Sequence, residues 1–303
     1  MPQSWPDLPF AKWQPTYDTL HMWTQIAGKL CLALTPRSNH FWNIAFQVTA
    51  RGLATPVMTY QGRSITMIFD FLEHKLEIIC ADGDIQSIPL APKSVATFYK
   101  EVMDKLHAMG IDQKIWKMPV EFPNAIAFDK DETHRDYDPA MVTAFHQALL
   151  KMKPVMEVFR CDFVGKCSPV HFFWGSFDLA VTRFSGKRAP AHPEYGAMYA
   201  EAYSHEVISH GFWPGGPWPV GEGLVVDEPV FYAYAVPAPE GFYETKIEPA
   251  AAYYHKDLME FILPYEAVRT ATDPEAELTK FMRSTYDAAS NLAGWNRREL
   301  ERV

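Results

Sequence analysis

The amino-acid sequence predicts an α+β fold, with mainly antiparallel sheets and packed helices. Stretches with a period-two apolar pattern occur in groups, and stretches with helical spacing follow them, whereas an α/β fold would alternate the two. Hydrophobic residues make up 48% and aromatic residues 14% of the 303 residues, enough for a large core. The length favours two sheet-plus-helix lobes, residues 1–158 and 159–303, packed so tightly that they can count as one domain.

The first half of the chain predicts strands followed by a helix. Ile65, Met67 and Phe69 alternate with polar residues, and the pattern returns after a polar turn, which is typical of an antiparallel hairpin. The predicted strands are 29–34, 41–50, 65–71, 76–80 and 85–90. A helix then follows over 95–106, with Ser94 as its cap and Gly110 just beyond its end.

The second half begins and ends with predicted helices. Asp138-Pro139 and Asp273-Pro274 each place a capping side chain before a proline at the first helical position. Pro154 is expected to bend or end the first of these helices. Between the helices, the sequence predicts strands at 170–184, 207–212 and 231–236.

A faint internal repeat connects the two halves. Residues 40–42 with Phe46 resemble residues 171–173 with Phe177, and a turn containing arginine and glycine follows each. Duplication of a sheet-plus-helix unit would explain the pattern, and chance similarity between two aromatic strands explains it equally well.

Charge and cysteine content restrict the partners and the compartment. The net charge of −9 argues against nucleic acid as a partner. Residues 1–13 lack the features of a signal peptide, and glycines and prolines interrupt the longest uncharged stretch, 207–221, so no membrane partner is expected. The four cysteines include no C-x-x-C pair, which favours reduced thiols and a cytoplasmic location. The sequence leaves the oligomeric state open.

The strongest functional signal is the stretch 168–186. If it were one strand, Trp174 and Asp178 would share a face that is both polar and aromatic, as in the wall of a ligand pocket. His171 and Arg183 would lie at the two ends of the opposite, apolar face. A central strand with a satisfied buried aspartate and an arginine at its rim is the alternative.

A second signal is the stretch 202–216. His205 beside Glu206 offers proton-transfer groups, and Trp213 in the following loop offers a surface for stacking on a flat substrate. A metal site of His205, Glu206 and His210 is an alternative, but a five-residue histidine spacing suits neither a helix nor a strand. Structural histidines beside a surface loop are the third interpretation.

Three further residues are candidates for ligand binding. His21 lies beside Trp23 and Gln25, although a buried histidine bonded to the backbone is the default interpretation. Arg183, Lys187 and Arg188 form a basic cluster, in which the two arginines suit a carboxylate or phosphate, and a solvated turn is the alternative. No dinucleotide, phosphate-loop or nucleophile-elbow motif occurs, so no cofactor is expected.

These signals lead to the hypothesis of an enzyme that applies His/Glu acid–base chemistry to a small anionic molecule, which can also be aromatic, in a cleft between the lobes. The alternatives are a non-catalytic binding module for a small molecule or protein, and a metal-dependent enzyme. The catalytic candidates are His171, Asp178, His205 and Glu206; the ligand-binding candidates are His21, Trp174, Arg183, Arg188 and Trp213.

Several of these stretches resemble one family of bacterial proteins of about this length. The resemblance lies in residues 19–25, 168–186, 202–215, 231–234 and 281–295, and it extends over nearly the whole chain. The family is known only as a domain of unknown function, with no assigned activity, cofactor or catalytic residue. The resemblance therefore implies a self-contained protein and assigns no role to any residue.

Overall fold

The α+β class is confirmed by the computed structural model, which describes residues 4–191, 196–217 and 225–302. The helices of these ranges are α1 (Phe10–Leu34), α2 (Val95–Ala108), α3 (Pro139–Cys161), α4 (Gly196–Ala202), α5 (Tyr265–Arg269), α6 (Pro274–Leu292) and α7 (Arg297–Leu300). None of them is long and apolar enough to cross a membrane. All strand pairings within the described ranges are antiparallel.

The first sheet is formed by the N-terminal half, in the order β1-β2-β4-β5-β6 with β3 beside β4. Its strands are β1 (Gln47–Thr49), β2 (Gly52–Ala54), β3 (Met58–Tyr60), β4 (Arg63–Asp70), β5 (Lys75–Cys80) and β6 (Ile85–Pro89). The hairpin predicted from the alternating residues is present, with Phe69 paired to Leu76. Residues 41–50, predicted as one strand, instead form a 3-10 turn at Asn39–Phe41 and then the short β1.

The second sheet is formed by the C-terminal half, in the order β13-β14-β12-β9-β8-β7. Its strands are β7 (His171–Phe173), β8 (Asp178–Arg188), β9 (His205–Trp213), β12 (Val230–Val236), β13 (Tyr253–His255) and β14 (Glu260–Pro264). β10 (Gly216–Pro217) and β11 (Val225–Val226) form a separate pair. The helices α3 and α6 contact this sheet through β8, β9 and β12.

The stretch 170–184 is a hairpin and not the single strand that the sequence predicted. β7 pairs with β8 so that Phe173 lies opposite Asp178, and the chain reverses over residues 174–177 with Phe177 at a φ of 60°. Because the chain reverses, the predicted division of faces is wrong. His171 lies opposite Ala180 and therefore on the same side as Asp178, while Phe172 lies with Leu179 on the other side.

The two sides of the second sheet have different chemistry. The side against the helices carries apolar residues together with Arg183 and His210. The opposite side, here called the polar face, carries buried polar residues on four strands: Asp178, Thr182, Ser209, Tyr232 and Glu260. Thr182 Oγ1 and Ser209 Oγ are hydrogen-bonded at 2.9 Å across the β8–β9 pair.

Helix α1 lies in the centre of the protein, which the sequence did not predict. Residues 29–34, predicted as a strand, are its last turns. Its buried residues run almost without interruption from Thr16 to Cys31, as expected for a helix enclosed on all sides. Its N-cap residue, Pro9, makes no side-chain capping bond, so the usual sequence signal for a helix start is missing.

The other predicted helices are present with their predicted caps. Backbone N–H groups of α2, α3 and α6 donate to the side chains of Ser94, Asp138 and Asp273, respectively. Pro154 does not end its helix, since α3 continues to Cys161. The missing N–H of a proline removes one helical hydrogen bond, and the buried residues on both sides of it hold the helix in place.

The internal repeat is not confirmed, because residues 40 and 41 lie in a 3-10 turn with positive φ while residues 171–173 form a strand. The division into lobes 1–158 and 159–303 stays a prediction. Each half contributes one sheet, but the boundary falls within α3, and a single buried core includes residues from Trp5 to Trp295.

Candidate functional site

Ionisable side chains from three parts of the chain lie in one region, here called the seam, where their charges are coupled in pairs. It lies between α1, the loop 109–138 that joins α2 to α3, and the turn 174–177. The residues of the seam are Asp18, His21, Glu121, His134 and Asp178. Gln25 of α1 fixes the loop, because its amide group donates to the Val120 carbonyl at 2.8 Å and accepts from the Val120 N–H at 2.9 Å.

His134 is oriented by a buried aspartate. Its Nδ1 lies 2.7 Å from Asp131 Oδ2, and the backbone N–H groups of Thr133 and His134 donate to Asp131 Oδ1. The hydrogen bond that His134 donates to Asp131 is the largest cause that raises the pKa of His134 above its ordinary value. With Nδ1 engaged, Nε2 is the ring nitrogen that can exchange a proton with a ligand. The His134 side chain is 17% exposed, so solvent reaches it.

Asp18 on α1 is electrostatically coupled to His134. Desolvation raises the pKa of its carboxyl to about 6, and the positive charge of His134 opposes this rise. Its Oδ1 is buried and has no hydrogen-bond partner among the described residues. A carboxyl with a pKa near 6 changes protonation close to neutral pH, which is a common property of catalytic acids and bases.

His21 connects α1 to the turn between β7 and β8. Its Nε2 donates to the Gly175 carbonyl at 2.8 Å, so Nδ1 is the unprotonated nitrogen of the neutral ring. Desolvation lowers the pKa of His21 to about 4, and the ring is therefore neutral at physiological pH. It packs against Phe177 and Phe122 at centroid distances of 5.0 and 5.6 Å, and the Phe122 ring also lies 5.3 Å from the His134 ring.

Glu121 and Asp178 lie on the two sides of the turn. Much of Glu121 is exposed, but its carboxyl lies against Gly175, where desolvation, and then the charge of Asp178, raises its pKa to about 7. Asp178 is buried and accepts hydrogen bonds from the hydroxyls of Ser176 and Tyr232, and desolvation raises its pKa. The seam therefore combines carboxyls of raised pKa with an oriented histidine.

Three of the predicted site residues lie at or beside the seam. They are His21 and Asp178, already described, and Trp213, whose Nε1 donates to the Ser176 carbonyl at 3.1 Å. Trp213 belongs to a small apolar cluster on the polar face and contacts the turn through this hydrogen bond. Its role in stacking on a substrate stays a prediction.

The other predicted residues contribute no side chain to the seam. His171 packs against Phe173 at 4.6 Å, and desolvation lowers its pKa to about 3. Trp174 contacts Gly28 of α1 and donates to the Ile44 carbonyl at 3.1 Å. Arg188 is exposed at the end of β8.

Arg183 is buried on the helix-facing side of the sheet and does not reach the polar face. Its guanidinium stacks on Phe159 at 3.5 Å and on Tyr286 at 4.3 Å, and it donates to the Phe159 carbonyl. Desolvation lowers its pKa. Its partners are aromatic rings and a backbone carbonyl, and no carboxylate among the described residues pairs with it. Because it is buried with these partners, it cannot anchor an external anion.

His205 and Glu206 lie at the far end of β9 and point to opposite sides of the sheet. His205 Nδ1 is 3.1 Å from Ser204 Oγ. His210 lies on the helix-facing side, where its Nε2 is 2.9 Å from Thr285 Oγ1. The metal alternative is therefore wrong in its geometry, since His205 faces away from the other two residues; within the described ranges no cluster of three potential metal ligands occurs.

Asp18, Glu121 and His134 were not among the residues predicted from the sequence. Asp18 and His21 are three residues apart and share one side of α1, a signal that was hidden because this helix was not recognised. The three-residue spacing of Asp131 and His134 was a signal from which their pairing could have been predicted. No local sequence pattern pointed to Glu121, since only the folded loop brings it to Gly175.

The seam and the two antiparallel sheets define the protein as an α+β protein with a candidate acid–base site between its N-terminal helix and its second sheet. A family model described as "Family of unknown function (DUF5996)" matches residues 5–302. The chain belongs to this family, which agrees with the resemblance noted in the sequence. No curated protein and no solved structure matches the chain.

Proposed function

We propose that the protein is an enzyme that performs general acid–base catalysis at the seam. The observation that carries the proposal is the Asp131–His134 pair beside Asp18, since a buried carboxylate that fixes one ring nitrogen leaves the other oriented for proton transfer. Structural ion pairs also perturb pKa values, but this pair lies among further carboxyls that titrate near neutral pH.

His134 and Glu121 take complementary roles in this proposal. His134 Nε2 accepts a proton from the substrate, and Asp131 stabilises the resulting imidazolium. Glu121, with a pKa of about 7, holds a proton in a large fraction of molecules at neutral pH and donates it to the leaving group. His21 stays neutral and holds the turn in place through Gly175.

A neutral or positively charged polar substrate fits this site better than the anionic one expected from the sequence. Asp18, Glu121 and Asp178 place negative charge along the seam whenever they ionise. Both arginines that were expected to bind an anion lie elsewhere, Arg183 in the core and Arg188 on the exposed end of β8. The small aromatic wall is formed by Phe122 and Phe177.

The first test needs no substrate. NMR titration of the side chains should place the pKa of Glu121 near 7, and Asp131→Asn should lower the pKa of His134 towards 6.5. A Glu121 carboxyl that titrates at its ordinary value near 4.5 would refute the assigned role.

The second test measures turnover. We expect the protein to act on a member of a panel of neutral and cationic chromogenic esters, amides and glycosides, and His134→Gln and Glu121→Gln to reduce kcat about 100-fold or more. His205→Asn is the matched control and should leave kcat unchanged. Equal turnover by all variants, or a preference for anionic members, would contradict the proposal. Binding without turnover would favour the non-catalytic binding module.

A further inference from the structure

A second site is suggested by a cavity of about 290 Å³ at the opposite end of the second sheet. It lies between the start of β9, the end of β12, the segment 237–240 and the end of α6. Ile208, Ala235, Leu292 and Trp295 contribute apolar side chains to a lining in which polar and apolar surface are about equal. This volume is at the lower end of the range of ligand pockets, so it suits a molecule of few heavy atoms.

The charged groups of the cavity are negative. Glu206 and Glu240 line it, and Glu206 Oε2 is buried without a hydrogen-bond partner in the described part of the chain. A buried carboxylate oxygen without a donor is costly, and a positive charge beside the carboxylate would offset part of that cost.

The C-terminal end of α6 also borders the cavity. Leu292 and Ala293 at the C-terminal end of the helix line the cavity, where the helix dipole favours a positive charge. Lys187 already interacts with this helix end, since its Nζ donates to the carbonyls of Ala293 at 3.4 Å and Gly294 at 2.7 Å. Lys187 therefore already balances the dipole at this helix end, and it forms no ion pair with Glu206 among the described residues.

We propose that this cavity binds a small organic ammonium ion. The cation would lie at Glu206, and its alkyl groups would contact the apolar lining, with the Trp295 ring available for a cation–π contact. The site is separate from the seam, because Glu206 and Trp213 lie at opposite ends of β9, about 23 Å apart at about 3.3 Å per residue. The proposal therefore stands or fails independently of the proposed catalytic function.

The experiment compares choline with its neutral isostere 3,3-dimethylbutan-1-ol by isothermal titration calorimetry on the full chain. We expect choline to bind at least 10-fold more tightly than the alcohol. Glu206→Gln should weaken choline binding at least 10-fold, and Leu292→Trp should abolish it by filling the cavity. Glu299→Gln, which removes a carboxylate on the exposed face of α7, is the control and should change nothing.

Three results would overturn the proposal: equal affinity for choline and the alcohol, unchanged choline binding by Glu206→Gln, or no binding of choline to the unmodified protein. If Glu206→Gln does not fold, Leu292→Arg replaces it. Leu292 is 48% exposed, so the longer side chain is tolerated, and its positive charge at the cavity should exclude choline.

Discussion

Replacing Glu260 by glutamine should remove a large part of the loss of stability at high pH. Glu260 lies on the polar face with 9% of its surface exposed, and its Oε2 has no hydrogen-bond partner among the described residues. Desolvation, and then the charge of Asp178, raises its pKa from 4.5 to about 8. The native state therefore binds the proton more tightly than the unfolded state does, and ionisation of Glu260 destabilises the fold.

The magnitude follows from the pKa difference. At 1.36 kcal/mol per pKa unit, the shift corresponds to about 5 kcal/mol. This contribution to stability is complete below pH 4.5 and is lost as the pH rises through 8. About 4 kcal/mol of it is lost between pH 5 and pH 9. Glutamine keeps the shape of the side chain and does not ionise. The advantage of Glu260→Gln over the unmodified protein should therefore grow by about 4 kcal/mol between these two pH values.

Urea denaturation at pH 5 and pH 9 measures this difference directly. Glu299→Gln, on the exposed surface, is the control and should follow the unmodified protein at both pH values. If the free energies of unfolding of Glu260→Gln and the unmodified protein change in parallel with pH, the carboxyl titrates normally and our account of the polar face is wrong.

Three further substitutions, at two positions, test the second sheet by urea denaturation. Gly211→Ala should lower the free energy of unfolding by about 3 kcal/mol, because the new methyl group would overlap the Tyr232 ring and the Leu179 carbonyl. A loss below about 1 kcal/mol would show that the Tyr232 ring can move aside. Arg183→Met should lower the free energy of unfolding by less than about 1 kcal/mol, because an apolar side chain keeps the contacts with Phe159 and Tyr286. Arg183→Lys should lower it by about 2 kcal/mol, because the lysine charge is buried but cannot stack on the rings. The reverse order of these two variants would contradict the stacking account.

The elements that were predicted correctly are those whose signals are local. The β4–β5 hairpin follows from alternation, and the starts of α2, α3 and α6 follow from Ser94, Asp138 and Asp273. α1 gave no such signal, because a helix buried on all sides has no polar stripe and its N-cap is a proline. The strand prediction for 170–184 failed because the turn at residues 174–177 contains a single glycine and two aromatic residues, which read as a continuation of the strand.

The candidate site was predicted only in part, for a related reason. His21 and Asp178 were named from their neighbours in sequence, but their partners come from a loop about 100 residues further along from His21 and about 50 residues before Asp178. The burial that shifts their pKa values exists only in the folded chain. His205 and Glu206 looked like a pair because they are adjacent, whereas adjacent residues in a strand point apart.

The central position of α1 has a consequence for expressing the protein in pieces. Tyr17 of this helix packs on Phe177 at 5.0 Å, Gly28 lies against Trp174, and other residues of α1 contact β3 and α2. α1 is synthesised before the second sheet, and it supplies the surface against which the turn 174–177 of that sheet packs. A fragment beginning at residue 159 would expose the buried aromatic residues of this turn, Trp174 and Phe177, to water, and we expect it to aggregate unless residues 1–158 are supplied in trans.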